Sequence, residues 1–319
     1  MKLRNLSELL GQEPAVRLFR RALKTGRLAQ AYLLVGPEGT GKESSIWALL
    51  REIFCTRGEG CGECRPCRKL DQEIHPDVLC LRPQAGRGSI SIAQIREAEE
   101  FLRFRPLEAP LRAVVIPEAE RLSPEAANAL LKSLEEPPVY AHFFLTAISA
   151  ENLLPTIVSR TQVVRFRPLP PDLIRKILED RLGFEPEQAH SLALLAEGSP
   201  GRALSLSEKG LLEDLNRLIT VARHEDPSLK FRAAEALARK KNDLPELLDL
   251  VRLWLWYSYL HARRIQEFPG LFPEPAPAER IWSLLDLVER LRQGLERYVN
   301  PELTLLVLIL EFAPAFSEP

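Results

Sequence analysis

The sequence predicts an α/β protein: a parallel sheet with helices on both faces, followed by a C-terminal part built only of helices. Three observations carry this. A glycine-rich stretch, Gly36-Pro37-Glu38-Gly39-Thr40-Gly41-Lys42, separates the apolar run Ala31-Tyr32-Leu33-Leu34-Val35 from a segment with helical spacing. Short apolar runs then alternate with amphipathic stretches as far as Phe166, the pattern of parallel strands joined by helical crossovers. From Leu211 onward every periodic stretch has helical spacing.

A chain of 319 residues has room for two or three domains. It is 45% apolar and 27% charged, ordinary for a globular protein. The 43 basic and 44 acidic residues nearly cancel, so no broad pull toward nucleic acid or a membrane is implied. No run of 18 apolar residues is present, and the first ten residues lack a signal-peptide core. A cytoplasmic protein is expected, and in that reducing setting five cysteines argue against a disulfide framework.

Taken in order, residues 1–30 read as helix, turn and helix, with Val16, Phe19, Leu23 and Leu28 on a face that would cover the sheet edge. Next come a strand, a glycine-rich turn at Gly36, Gly39 and Gly41, and a helix from Lys42 to Phe54 with Ile46, Leu49, Leu50 and Ile53 on one side. This is the context of a phosphate-binding loop, whose amides and helix N-terminus hold phosphate oxygens while Lys42 reaches the terminal phosphates. The pattern then calls for a Ser or Thr hydroxyl on Mg²⁺, and the sequence supplies Glu43. Ser44 lies about 100° further round the helix and is a poor substitute.

Cys55, Cys61, Cys64 and Cys67 follow with C-x5-C-x2-C-x2-C spacing. Two-residue gaps let paired sulfurs face one point, and four thiolates suit a tetrahedral structural Zn²⁺. Free or disulfide-linked thiols are the competing reading. Cys80, within Val78-Leu79-Cys80-Leu81, reads as a buried strand residue. His75, beside Pro76, reads as part of a turn or as a spare ligand.

A helix is expected over 89–104, with Ser91 and Gln94 as a capping box. The run Arg112–Ile116 reads as a buried strand. In a nucleoside triphosphatase the end of such a strand carries an Asp for Mg²⁺ and then a Glu that activates water. Here Pro117 replaces the Asp; Glu118 remains, and without the metal it reads as a solvated turn residue. Ser123 caps a helix that stops at Glu135-Glu136-Pro137-Pro138. Strands are expected at 142–146 and 163–166, and Pro168-Leu169-Pro170-Pro171 marks a linker. Short helices fit 172–182, 186–196 and 200–207, and longer ones 211–223, 228–239, 244–266, 278–296 and 301–312. Trp254, Trp256, Tyr257 and Tyr259 at helical spacing favour core or interface over base stacking. The Pro-rich loop 268–277 reads as ordered by its prolines.

The motifs Ala31–Pro37, the four-cysteine insertion, His75-Pro76-Asp77, Ala126–Lys132, Leu134–Pro138, Ser159-Arg160 and Gly198–Leu204 occur in an order that resembles the delta-prime family of bacterial DNA polymerase III clamp-loader subunits, of AAA+ type. The resemblance is strong over about residues 5–208 and rests on length and class beyond. It implies an ATPase-type α/β domain at 1–167 with a zinc module at 55–67, a small helical lid at 168–208, and a helical collar at 209–319. The collar would join a hetero-pentamer with an ATPase motor subunit and a delta subunit, meeting DNA and the sliding clamp only through the assembly. It also implies that Arg160, aimed by Ser159, completes a neighbour's ATP site as an arginine finger. Thr161 stands where the family commonly has Cys.

The nearest alternative is the ATP-hydrolysing motor subunit of the same loader. Glu43, Pro117 and a third departure, Gly201 where the motor carries an ATP-sensing arginine, count against it; Arg202 is displaced by one. ATP binding by this chain is therefore not expected. A small-molecule P-loop kinase would need an intact Mg²⁺ site. A zinc-dependent DNA-binding module would need a basic stripe, which the near-neutral charge does not suggest.

Overall fold

The computed structural model describes residues 3–84, 88–263, 278–296 and 300–312. The chain divides into two compact units, one of Met1–Leu173 with Gly198–Gly201, the other of Ile174–Glu197 with Arg202–Pro319.

In the first unit, five strands form a sheet: β1 (Ala31–Val35), β2 (Val78–Cys80), β3 (Arg112–Ile116), β4 (Ala141–Ala147) and β5 (Gln162–Arg165). Their order is β2-β3-β4-β1-β5, and every pairing is parallel. Every residue of β1, β3 and β4 is buried, because helices cover both faces. Alternation along the strands divides the apolar residues into two cores. Leu33, Val114, Ile116, Phe143 and Leu145 pack with α4 (Ile92–Leu102) and α5 (Pro124–Glu135). Tyr32, Leu34, Val115 and Phe144 pack with α1 (Glu13–Thr25) and α2 (Lys42–Phe54). The Tyr32 ring stacks on Phe144 at 5.8 Å and meets Phe19 edge-on at 5.5 Å.

The expected capping box forms: Ser91 starts α4 with Gln94 as its partner. Asp77, wholly buried, accepts hydrogen bonds from the amides of Leu107, Glu108 and Ala109 at 2.7, 2.7 and 2.9 Å. The last residue of the His-Pro-Asp motif is thus a tie for the loop that enters β3. One expectation needs correction: Cys80 is only half-buried, because β2 is an edge strand with one neighbour. The Arg82 guanidinium lies 2.8 Å from its sulfur, and burial pushes the thiol up to about 12.

The described remainder is helical: α7 (Pro171–Leu182), α8 (Pro186–Leu195), α9 (Pro200–Glu208), α10 (Leu211–Arg223), α11 (Pro227–Ala238), α12 (Leu244–Ala262), α13 (Ala278–Glu296) and α14 (Pro301–Phe312); α3 (Arg65–Asp71) and α6 (Pro155–Val158) belong to the first unit. Helices α10 to α14 pack on one another. Trp254 is 1% exposed and sits 6.3 Å from Phe312, while the Tyr257 hydroxyl donates to the Leu194 carbonyl at 3.2 Å. Trp256 is instead exposed, stacking on Tyr259 at 5.8 Å. The predicted loop 268–277 and the end of the helix predicted over 244–266 lie outside the described residues.

Candidate functional site

The phosphate loop forms where the sequence places it. The Gly36 amide donates to Ala147 of β4, and Val35 accepts from Phe166 beyond β5, so the loop hangs from the central strands. Gly41 has φ +95°, a left-handed conformation that only glycine adopts freely, and α2 starts at the next residue. Lys42 is buried and donates to its own loop carbonyls, Gly36 at 2.5 Å and Pro37 at 2.7 Å. Burial lowers its pKa, against the pull of Glu120, Glu38 and Glu118.

The loop borders a cavity of about 380 Å³ whose charged lining is Glu38, Glu43, Glu118 and Glu120 against Lys42 and Arg121. An acid-rich wall opposes a triphosphate, which needs cations there. Glu43 does not reach into the cavity unpaired: its carboxylate accepts from the Trp47 indole at 3.0 Å and pairs with Arg82, which also holds Glu73 at 2.7 Å. Pro117 is buried at the end of β3 and offers no donor or carboxylate. Glu118 is exposed, as a turn residue should be, and pairs with Arg121. Its backbone is left-handed, φ +52°, held by a hydrogen bond from its amide to Thr146 Oγ1 at 3.1 Å.

Gly201 closes the group of three departures physically. Its amide donates to the Gly39 carbonyl at 3.0 Å. A Cβ at Gly201 would stand 2.7 Å from the Gly39 Cα, closer than any real side chain comes. No arginine can occupy that position while the backbones touch. Arg202 pairs with Glu197.

Arg160 lies apart from that cavity, two residues past α6. Its guanidinium donates to Glu135 at 2.6 Å, to the Thr156 carbonyl at 3.0 Å and to Ser159 Oγ at 3.3 Å. Ser159 Oγ also donates to Thr156 O at 3.0 Å, fixing the turn from which the arginine projects. The side chain is 34% exposed.

The four cysteines converge. Their sulfurs all lie within 4.8 Å of one another, with Cys55 and Cys64 3.9 Å apart. Four thiolates at about 2.3 Å from Zn²⁺ stand about 3.8 Å from each other, so the donor set fits that metal. The amides of Arg57 and Cys61 approach Cys55 Sγ at 3.4 Å, and that of Cys64 approaches Cys61 Sγ at 3.4 Å. Burial works against ionising Cys55, but these amides hold its thiol down at about 6; burial pushes Cys67 up. His75 is not in this group: it packs 4.8 Å from the Phe54 ring, and its Nδ1 accepts from the Asp77 amide.

Sequence reasoning missed Thr146, Glu120, Arg82 and Glu135. Thr146 and Glu120 could have been found, since ligands of open α/β sheets collect beyond the strands' C-terminal ends. Arg82 reaches Glu43 across 39 positions and Glu135 meets Arg160 across 25, with no local signal.

A phosphate loop on a five-stranded parallel sheet, with the ends of β3 and β4 at its cavity, defines an α/β domain of P-loop type, with Glu43 and Pro117 where the pattern has Ser or Thr and Asp. The family described as "DNA polymerase III, delta subunit" matches residues 11–170. This chain belongs to that family, on its delta-prime branch. It is 33% identical to DNA polymerase III subunit delta' of Escherichia coli (strain K12) over 90% of each chain. It is 35% identical to the Bacillus subtilis (strain 168) delta' over 58% of this chain and 55% of that one. A Mycobacterium tuberculosis (strain ATCC 25618 / H37Rv) subunit gamma/tau is 33% identical over 54% of this chain and 30% of its own length.

Proposed function

We propose that this chain is a clamp-loader stator: a subunit that helps load the sliding clamp onto primed DNA without hydrolysing ATP itself. The observation that carries this is the Gly201–Gly39 backbone contact, which leaves the loop without an ATP-sensing side chain. The acid-lined cavity and the loss of both metal ligands point the same way. The loop is then architecture, and Arg160 is the group that acts, in the ATP site of a neighbouring motor subunit. A guanidinium supplied there stabilises charge on the γ-phosphate as it is transferred.

Under this reading 1–167 is the ATPase-type domain, 168–208 its helical lid and 209–319 the collar that joins motor and delta subunits in a hetero-pentamer. Cys55, Cys61, Cys64 and Cys67 hold a structural Zn²⁺, which would stabilise the segment between α2 and α3. The setting is the bacterial cytoplasm; among the described residues no helix is long and apolar enough to cross a membrane.

The test is ATP turnover by the isolated chain and by a reconstituted loader carrying Arg160→Ala. The isolated chain is expected to be inactive. The site that Arg160 completes should slow by about 10³–10⁵ while assembly persists. Unchanged loader activity removes the finger, and Mg²⁺-dependent turnover by the isolated chain favours the motor reading.

A further inference from the structure

The near-neutral net charge hides one local concentration. Between Pro14 and Pro37 the sequence has five cations, Arg17, Arg20, Arg21, Lys24 and Arg27, and no acid. Helix α1 buries Ala15, Phe19 and Ala22, which turns the cations outward, and all five are exposed. Among the described residues no ion pair involves any of them, whereas many of the chain's other arginines are paired.

Arg17, Arg21 and Arg27 also line one cavity of about 650 Å³, together with Tyr32 and Gln162. Tyr32 and Gln162 stand at the starts of β1 and β5, whereas the phosphate loop follows the end of β1. The basic cavity therefore lies at the opposite end of the sheet from the degenerate nucleotide site and cannot be part of it.

We propose that this face of α1 is a binding site for the sugar–phosphate backbone of a nucleic acid. Four of the five cations are arginines, whose planar guanidinium grips phosphate in two places. Along the helix Arg17, Arg21 and Lys24 fall on one side at steps of about 6 and 4.5 Å. Those steps lie between one and two times the axial spacing of charges on a nucleic-acid strand, about 3.4 Å, so neighbouring cations can reach successive or alternate phosphates. A protein partner would want an apolar centre to its interface. None of the exposed large apolar residues lies on α1 or in the turn after it. Contacts of this kind attract by charge and carry no base sequence, so the site holds DNA or RNA without choosing among sequences.

The test uses the full chain, a fluorescein-labelled 30-base-pair duplex and a labelled single strand, read by anisotropy across a salt series. Saturable binding is expected, in the range of about 10⁻⁴–10⁻⁶ M at physiological salt and tighter at low salt. Arg17→Ala/Arg21→Ala/Arg27→Ala should weaken it about tenfold or more and lower the slope of log affinity against log salt by about 2–3 for duplex. Arg239→Ala/Arg290→Ala, which removes arginines paired elsewhere, should leave it unchanged. If the triple variant melts early, Arg21→Glu at an exposed position reads the same effect. Absent binding, or a triple variant with unchanged affinity and slope, overturns the proposal. So does a polyglutamate peptide that displaces the duplex at a lower concentration of charge, which would assign the face to an acidic protein.

Discussion

At the scale of single residues, the role proposed for Arg160 in a neighbour's ATP site depends on what restrains its guanidinium. Glu135 holds the guanidinium at 2.6 Å, but both side chains are partly exposed, 34% and 51%. An exposed pair is worth about 0.2–1 kcal/mol, so Glu135 can hold Arg160 in place without preventing its release. Glu135→Gln is therefore expected to raise the ATPase rate of a reconstituted loader by on the order of 1.4- to fivefold, the same range expressed as a rate. A lower rate would mean that Glu135 aims the arginine. His142 makes a different residue-scale prediction. It is buried in β4, its Nδ1 lies 2.9 Å from the Ala29 carbonyl, and burial lowers its pKa although that contact raises it. A histidine depressed on folding is neutral in the native state but takes up a proton in the unfolded chain below its ordinary value of about 6.5. Stability should then be full above that value and fall as pH drops through it. Denaturant midpoints at pH 7.5 and 5.5 should differ less for His142→Gln than for the unaltered chain.

At the scale of elements, the cysteine segment links two helices: Cys55 caps the end of α2 and Cys67 lies inside α3. Elemental analysis is expected to find one zinc per chain. Chelation, or Cys64→Ser, should lower the unfolding temperature and expose the 55–67 segment to protease before the sheet. A chain that keeps its melting temperature after full metal removal would show that the thiols alone suffice. This element was legible in the sequence because its information is local: spacing put four sulfurs near one point, just as the capping pattern of Ser91 and Gln94 marked α4 and the glycines marked the loop. What was not legible depended on distance along the chain. The half-burial of Cys80 follows from β2 lying at a sheet edge, and strand order is not written in a strand's own residues. The engagement of Glu43 by Arg82 needs the first turn of α2 to meet the segment that follows β2. The basic face of α1 was in plain view, but a whole-chain charge balance averages it away.

At the scale of the whole molecule, the three departures from an ATPase act together. Glu43 stands where the pattern has a metal-binding hydroxyl, Pro117 stands where it has a metal-binding carboxylate, and Gly201 lets the backbone at 198–201 settle on the phosphate loop. Gly198 and Gly201 both sit where a Cβ would collide, with Pro168 at 2.4 Å and Gly39 at 2.7 Å. The three nearest atoms at Gly201 are all backbone atoms of Gly39 in the loop, which cannot turn aside as a side chain could. Gly201→Ala is accordingly expected to destabilise the protein by about 1–3 kcal/mol, read as a lower denaturant midpoint. The same reasoning fixes what a restoration should do. Glu43→Thr with Pro117→Asp returns both metal ligands, yet Glu38, Glu118 and Glu120 still line the cavity, and 198–201 still rests on Gly39. Fluorescent-ATP titration of that double variant should show no Mg²⁺-dependent saturation. Saturable micromolar binding would show instead that the metal ligands alone separate this chain from an ATP-binding one, and that the packing of Gly201 on the loop yields to nucleotide.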